Sequence, residues 1–112
     1  MTPRLASAVL VAALIRRAEA EGGFGAVLAK GDETAGAIAV ILAERGRKKA
    51  FLERLLQPGD GYTWRDSGEG LASDSAYEDL LARRRRVDPD LWAVELDVAS
   101  AERFAAEMNA IG

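Results

Sequence analysis

Four consecutive arginines, Arg83 to Arg86, run directly into Val87-Asp88-Pro89-Asp90 and then into Leu91-Trp92-Ala93-Val94-Glu95-Leu96. This junction constrains the chain more than any other. Cations suit the carbonyl end of a helix, where the macrodipole is negative. The residue before a proline is steered out of helical backbone, so Asp88-Pro89 ends that helix. Beyond it, Leu91, Ala93 and Glu95 alternate with Trp92, Val94 and Leu96, which is the period of a strand. Ser73 or Asp74 caps the start of the helix, with Glu78 and Asp79 in its early turns. At about 100° per residue, Ala76, Tyr77, Leu80, Leu81 and Val87 share one apolar face. Arg84 falls near the middle of that face, Arg83 flanks it, and Arg85 and Arg86 point away. A cation on an apolar face either snorkels past it or meets an anion. One expectation is an intramolecular ion pair with Asp88, Asp90 or Glu95. The other is a bound anion.

The rest of the chain reads as alternating helices and short strands. Thr2-Pro3 is the expected N-cap and first position of a helix that runs to Glu21 and stops at Gly22-Gly23. Its apolar residues lie on two sides, Leu5, Val9, Ala12 and Ile15 against Leu10, Ala13 and Leu14, so two covers are expected. One is a sheet. The other is a second helix or a partner subunit. Phe24–Lys30 and Ala35–Ala43 are expected strands, paired as a hairpin across Gly31-Asp32-Glu33-Thr34. Glu44-Arg45-Gly46-Arg47 is a turn. Lys48–Gln57 fits a strand, with Phe51 and Leu55 on one face, but also a helix. Tyr62-Thr63-Trp64-Arg65 is a short strand with both aromatics on one side. Ser100 caps a last helix that runs to Ile111. The fold class expected is α+β: a single antiparallel sheet of four or five strands, a buried N-terminal helix, a second helix before the last strand, and a C-terminal helix.

A chain of 112 residues is the size of one domain, taken as residues 1–112. It contains neither cysteine nor histidine. That removes disulfides, thiolate nucleophiles, Ser-His catalysis and the usual zinc sites. No oxygen-ligand loop for calcium is apparent, so neither metal nor cofactor is expected. The acids Asp60, Asp66, Glu69 and Asp74 lack paired spacing for acid–base work. Gly22-Gly23-Phe24-Gly25 precedes a strand and not a helix, which fails the context of a phosphate loop. The apolar run Leu5–Ile15 is too short to span a bilayer. Arg16-Arg17 at its end marks a buried helix, not a signal peptide.

The net charge of −3 conceals an asymmetry. Residues 1–57 carry nine Lys/Arg against six Asp/Glu, and residues 58–112 carry six against twelve. Broad affinity for nucleic acid needs an extended basic surface, which this balance does not offer. Local clusters remain: the arginine run, and Arg45, Arg47, Lys48 and Lys49 at a turn. Charges at a turn are the ordinary state of a surface loop. With Tyr62 and Trp64 nearby they would also suit stacking plus phosphate contacts.

Several segments resemble a small proteobacterial family, "domain of unknown function 1491". They are Arg4-Leu5, Leu14-Ile15-Arg16-Arg17, Gly22-Gly23-Phe24, Lys30-Gly31-Asp32 with Ala35-Gly36-Ala37-Ile38, Glu53-Arg54, Trp64, and above all Val87-Asp88-Pro89-Asp90-Leu91-Trp92-Ala93-Val94-Glu95. The similarity covers most of residues 4–97. It implies a bacterial, cytoplasmic origin and brings no activity, substrate or site residue with it. The family's pattern ends soon after this strand, whereas here Ser100–Ile111 reads as an added helix.

Two functional expectations follow. The first is a non-enzymatic interaction module that forms a homodimer, with Leu10, Leu14 and Trp64 at the interface. The second is an accessory protein that binds nucleic acid or a phosphate-type anion through Arg83, Arg84, Arg47 and Lys48. No membrane partner is expected.

Overall fold

The computed structural model describes residues 5–56, 58–59 and 61–111. Thr2, Pro3 and Arg4 lie outside these. The elements in chain order are α1 (Ser7–Ala20), β1 (Phe24–Ala29), β2 (Ile38–Glu44), β3 (Arg47–Leu56), β4 (Tyr62–Asp66), α2 (Asp74–Val87), β5 (Trp92–Asp97) and α3 (Ala101–Ile111). The class is α+β, as the residues suggest. The five strands form one sheet in the order β1-β5-β2-β3-β4.

The sheet is mixed, because β2 and β5 run parallel while every other pair is antiparallel. The expected β1–β2 hairpin is therefore split, with β5 inserted between its arms. Burial explains the choice. On β5, Trp92, Val94 and Leu96 line one face and Ala93 is fully buried on the other. On β2, Ile38 to Ala43 are all buried. Strands buried on both faces belong at the centre of a sheet. By contrast β1 exposes Phe24, Val27 and Leu28 and takes the edge.

Helices cover both faces. The first core lies under α1 and α3 and joins Val11, Leu14 and Ala18 to Val40, Leu42, Leu52, Trp64, Trp92, Val94, Leu96, Phe104 and Met108. The second lies under α2 and joins Tyr77 and Leu80 to Ala39, Ile41, Phe51 and Leu91. Each fully buried side chain of this size contributes about 1.5–3 kcal/mol. Helix α1 begins at Ser7, after Leu5 and Ala6, and buries a single stripe, Ser7, Val11, Leu14 and Ala18. Of the two expected covers, the sheet is there, and α2 is not the second. Helix α2 lies across the sheet from α1, and Val9 on α1 stays half exposed. Helix α3 flanks α1 instead, with Arg17 over the Phe104 ring and 3.0 Å from Glu107.

The segments Lys30–Ile38 and Val87–Glu95 dock on each other. Trp92 Nε1–H donates to the Asp32 carbonyl at 2.7 Å, and the Asp32 N–H donates to the Asp90 carbonyl at 3.0 Å. A side chain on Gly31 would place its Cβ 2.2 Å from the Asp90 oxygen, so the close approach requires glycine. Ser7 Oγ closes the corner by donating to the Gly36 carbonyl at 2.6 Å.

Candidate functional site

Ser73 caps α2, its hydroxyl accepting the Ala76 N–H at 3.2 Å. From that start the helix runs alongside β3. Asp74 accepts the Lys48 N–H at one end, and Arg84 reaches Glu53 at the other. Arg84 Nε–H donates to Glu53 Oε2 at 3.0 Å and Nη2–H to Oε1 at 3.1 Å. The partner is thus neither Asp88, Asp90 nor Glu95, because Glu53 projects from the sheet face that α2 covers. Burial pushes the Glu53 carboxyl up, but hydrogen bonds from Arg84 and Ser67 and the charges of Arg84 and Arg65 hold it below the ordinary range. The Arg84 guanidinium is raised in turn, first by its hydrogen bond to Glu53.

The other arginines are not equivalent. Arg85, expected to point away, turns back and donates to the Leu91 carbonyl. Arg83 and Arg86 are exposed. Val87 is 88% exposed and lies off the apolar face, because the helix ends there. Asp88 Oδ1 accepts the Asp90 N–H at 3.1 Å, which makes the turn into β5.

The second basic cluster is divided by the sheet. The β2–β3 register shifts between Leu42 and Ala43, which leaves Lys49 as an extra residue. Lys48 faces the α2 side, 3.5 Å from Glu95 and 3.9 Å from Glu78. Arg47 and Lys49 line a cleft elsewhere, together with Arg45. From Lys48 to Glu53 the strand rises roughly 16 Å. Arg83 and Arg84 therefore do not share one patch with Arg47 and Lys48.

The residues expected at an interface are mostly interior. Leu14 and Trp64 are each 7% exposed, and Leu10 is partly buried against the same core. Apolar surface is left elsewhere. Strand β1, Phe24-Gly25-Ala26-Val27-Leu28-Ala29, carries no charge, and its Phe24, Val27 and Leu28 are 62%, 45% and 49% exposed. Its inner edge pairs with β5. Among the described residues, no hydrogen bond engages its outer edge.

The opposite edge of the sheet is blocked at its middle residue. Asn109 on α3 accepts the Trp64 N–H at 2.7 Å and donates to the Trp64 carbonyl at 3.1 Å. One side-chain amide thus satisfies both outward groups of a β4 residue, as a neighbouring strand would. Nothing in the sequence marked Asn109 for this role. The signal for β1 was available: six uncharged residues after a double glycine.

Among the described residues there is no group of three or more acids that could hold a metal ion. No described helix is long and apolar enough to cross a membrane.

A family model described as "Protein of unknown function (DUF1491)" matches residues 5–106. The match runs past Asp97 into α3, so most of that helix belongs to the pattern and is not an addition to it. A crystal structure of a DUF1491 family protein from Caulobacter crescentus is 31% identical, covers 90% of this chain and 94% of its own, and superposes with a TM-score of 0.78. An NMR structure of a DUF1491 family protein from the same organism is 30% identical, with coverage of 92% and 94% and a TM-score of 0.77. The solution structure of a protein from A. tumefaciens is 35% identical, with coverage of 91% and 92% and a TM-score of 0.73. No curated protein matches the chain.

Proposed function

The chain belongs to the DUF1491 family of proteins of unknown function, and from that premise we propose that it is a cytoplasmic, single-domain, non-enzymatic interaction module that pairs with a second copy through strand β1. The observation that carries this reading is the contrast between the two sheet edges. An open edge strand presents a row of unpaired N–H and C=O groups and is a template for another strand. Here Asn109 blocks β4 at Trp64, while β1 is open along its length, uncharged and apolar on its exposed side chains.

A second copy suits this edge because the strand is self-complementary. Antiparallel β1–β1′ pairing about a twofold axis places uncharged residues against uncharged residues, so no carboxylate or ammonium within the strand is desolvated. The chain's lack of histidine and cysteine fits a binding role better than a catalytic one.

Size-exclusion chromatography with light scattering tests the reading. The expected mass is twice the 12.0 kDa of the chain. Val27→Lys, which puts a charge on the edge, is expected to give the single-chain mass with an unchanged far-ultraviolet spectrum. A wild-type protein that stays at the single-chain mass at every concentration overturns it.

A further inference from the structure

At the carboxyl ends of the parallel strands β2 and β5 lies a cleft of about 630 Å³. In open α/β sheets, ligands bind in crevices outside the carboxyl ends of parallel strands, and β2 and β5 are such a parallel pair within this mixed sheet. Three cations line it, Arg45, Arg47 and Lys49, and so do three acids, Glu21, Glu44 and Asp97. The acids are engaged. Glu44 Oε2 accepts the Ala101 N–H at 2.7 Å and so caps α3. Asp97 accepts the Arg45 N–H at 3.1 Å and the Gly46 N–H at 2.8 Å. Glu21 lies 3.6 Å from Arg17 and 3.7 Å from Arg103. Among the described residues, the side chains of Arg45, Arg47 and Lys49 have no ion pair or hydrogen bond.

Two departures from regular backbone put these cations there. Arg45 and Gly46 form a two-residue hairpin turn with φ of 51° and 82°, and Arg45 is the one non-glycine residue with positive φ among the described residues. Asn, Asp and Gly are preferred at that place. An arginine there costs about 1–2 kcal/mol. The second departure is the bulge at Lys49, which puts Lys48 on the α2 side while Arg47 and Lys49 line the cleft. Bulges re-aim side chains in this way beside functional sites.

We propose that this cleft binds a small phosphate-type anion. Two guanidinium groups and an ammonium supply charge-assisted donors of the kind that phosphate oxygens accept. With Glu21 offset by Arg17 and Arg103, three cations stand against Glu44 and Asp97, a surplus of one positive charge. That surplus suits a single small anion. It does not suit a polyanion such as nucleic acid, which needs an extended basic track. The proposal does not depend on pairing through β1.

Titration of the isotope-labelled full chain with inorganic phosphate at constant ionic strength, followed by amide NMR, tests it. Saturable shifts centred on Arg45, Gly46, Arg47, Val98 and Ala99 are expected. Arg47→Gln and Lys49→Gln are each expected to weaken binding about tenfold, while Arg83→Gln leaves it unchanged. Equal shifts with chloride, shifts that do not saturate, or full affinity in Arg47→Gln overturn the proposal. The remaining amide resonances of each variant report directly whether it is folded.

Discussion

Arg84, in the last turns of α2, grips both carboxylate oxygens of Glu53 on β3, at 3.0 and 3.1 Å. The pair ties the carboxyl end of the helix to the sheet face it covers. Its side chains are 43% and 22% exposed, so solvent weakens the attraction. A double-mutant cycle with Arg84→Ala and Glu53→Ala, read by urea unfolding, is expected to give a coupling of about 0.5–1 kcal/mol. The coupling should shrink as salt is added. A coupling indistinguishable from zero at low salt would show that the helix end is held by packing alone.

The same pair sets a pH dependence. Glu53 titrates below its ordinary value in the folded protein, despite the opposing effect of burial. In the unfolded chain it takes up its proton near pH 4.3. The unfolded state therefore binds more protons in the window below that value, and stability rises with pH there. The contribution is complete above the unfolded pKa and is lost as pH falls through the folded one. In Glu53→Gln, the acid limb of the stability curve should be flatter than in the wild type. Parallel limbs would remove Glu53 from the acid response.

At the alkaline end the relevant group is Tyr77. Burial first, then the charges of Asp66 and Asp74, push its phenol above the usual value. Its ring is 4% exposed, in the core beneath α2. Because the folded pKa is raised, its contribution is complete below the unfolded value of about 10 and is lost as pH rises through the folded value. Tyr77→Phe is expected to change stability by about 1 kcal/mol or less at neutral pH, since the Tyr77 hydroxyl reaches the Gly68 carbonyl only at 3.5 Å. Above pH 10 the variant should hold its stability while the wild type declines. A shared decline would point to another group.

Asn109→Ala leaves the outward N–H and C=O of Trp64 without their protein partner. The expected cost is about 1–2 kcal/mol. Faster hydrogen exchange at the Trp64 amide would locate the loss. With both sheet edges open, association beyond a pair is also expected, and light scattering would detect it. Unchanged exchange at Trp64 would mean that the amide does not close this edge.

Gly31→Ala drives a methyl group into the Asp90 carbonyl and the Trp92 ring. Neither is a flexible side-chain end, so backbone must move. The expected loss is about 2–3 kcal/mol, visible in the urea midpoint. Gly46→Ala is limited by its φ of 82° and not by space, since nothing lies within 4 Å of the added carbon. It should cost about 1–2 kcal/mol. Equal tolerance of alanine at both glycines would contradict the close docking of these loops.

What the sequence determined by itself was local. The Ser73 cap, the break at Asp88-Pro89, the alternation of β5 and the glycine stop after α1 are decided by backbone sterics, capping and periodicity, which act within a few residues. Helical phase likewise singled out Arg84, but it did not show that Arg85 turns back to the Leu91 carbonyl. The partners were not. Glu53 meets Arg84 because α2 lies along β3, and Asn109 meets Trp64 because α3 packs beside β4. The insertion of β5 between β1 and β2 also lay beyond local reading, since β1 and β2 look like neighbours joined by a turn. Only the whole fold decides which strand is buried enough on both faces to sit between them. The same holds for the cations at the β2–β3 turn, where one bulged residue separates Lys48 from Arg47 and Lys49. Short-range sterics write the elements into the chain, whereas strand order, register and ion-pair partners are settled by burying one continuous apolar surface.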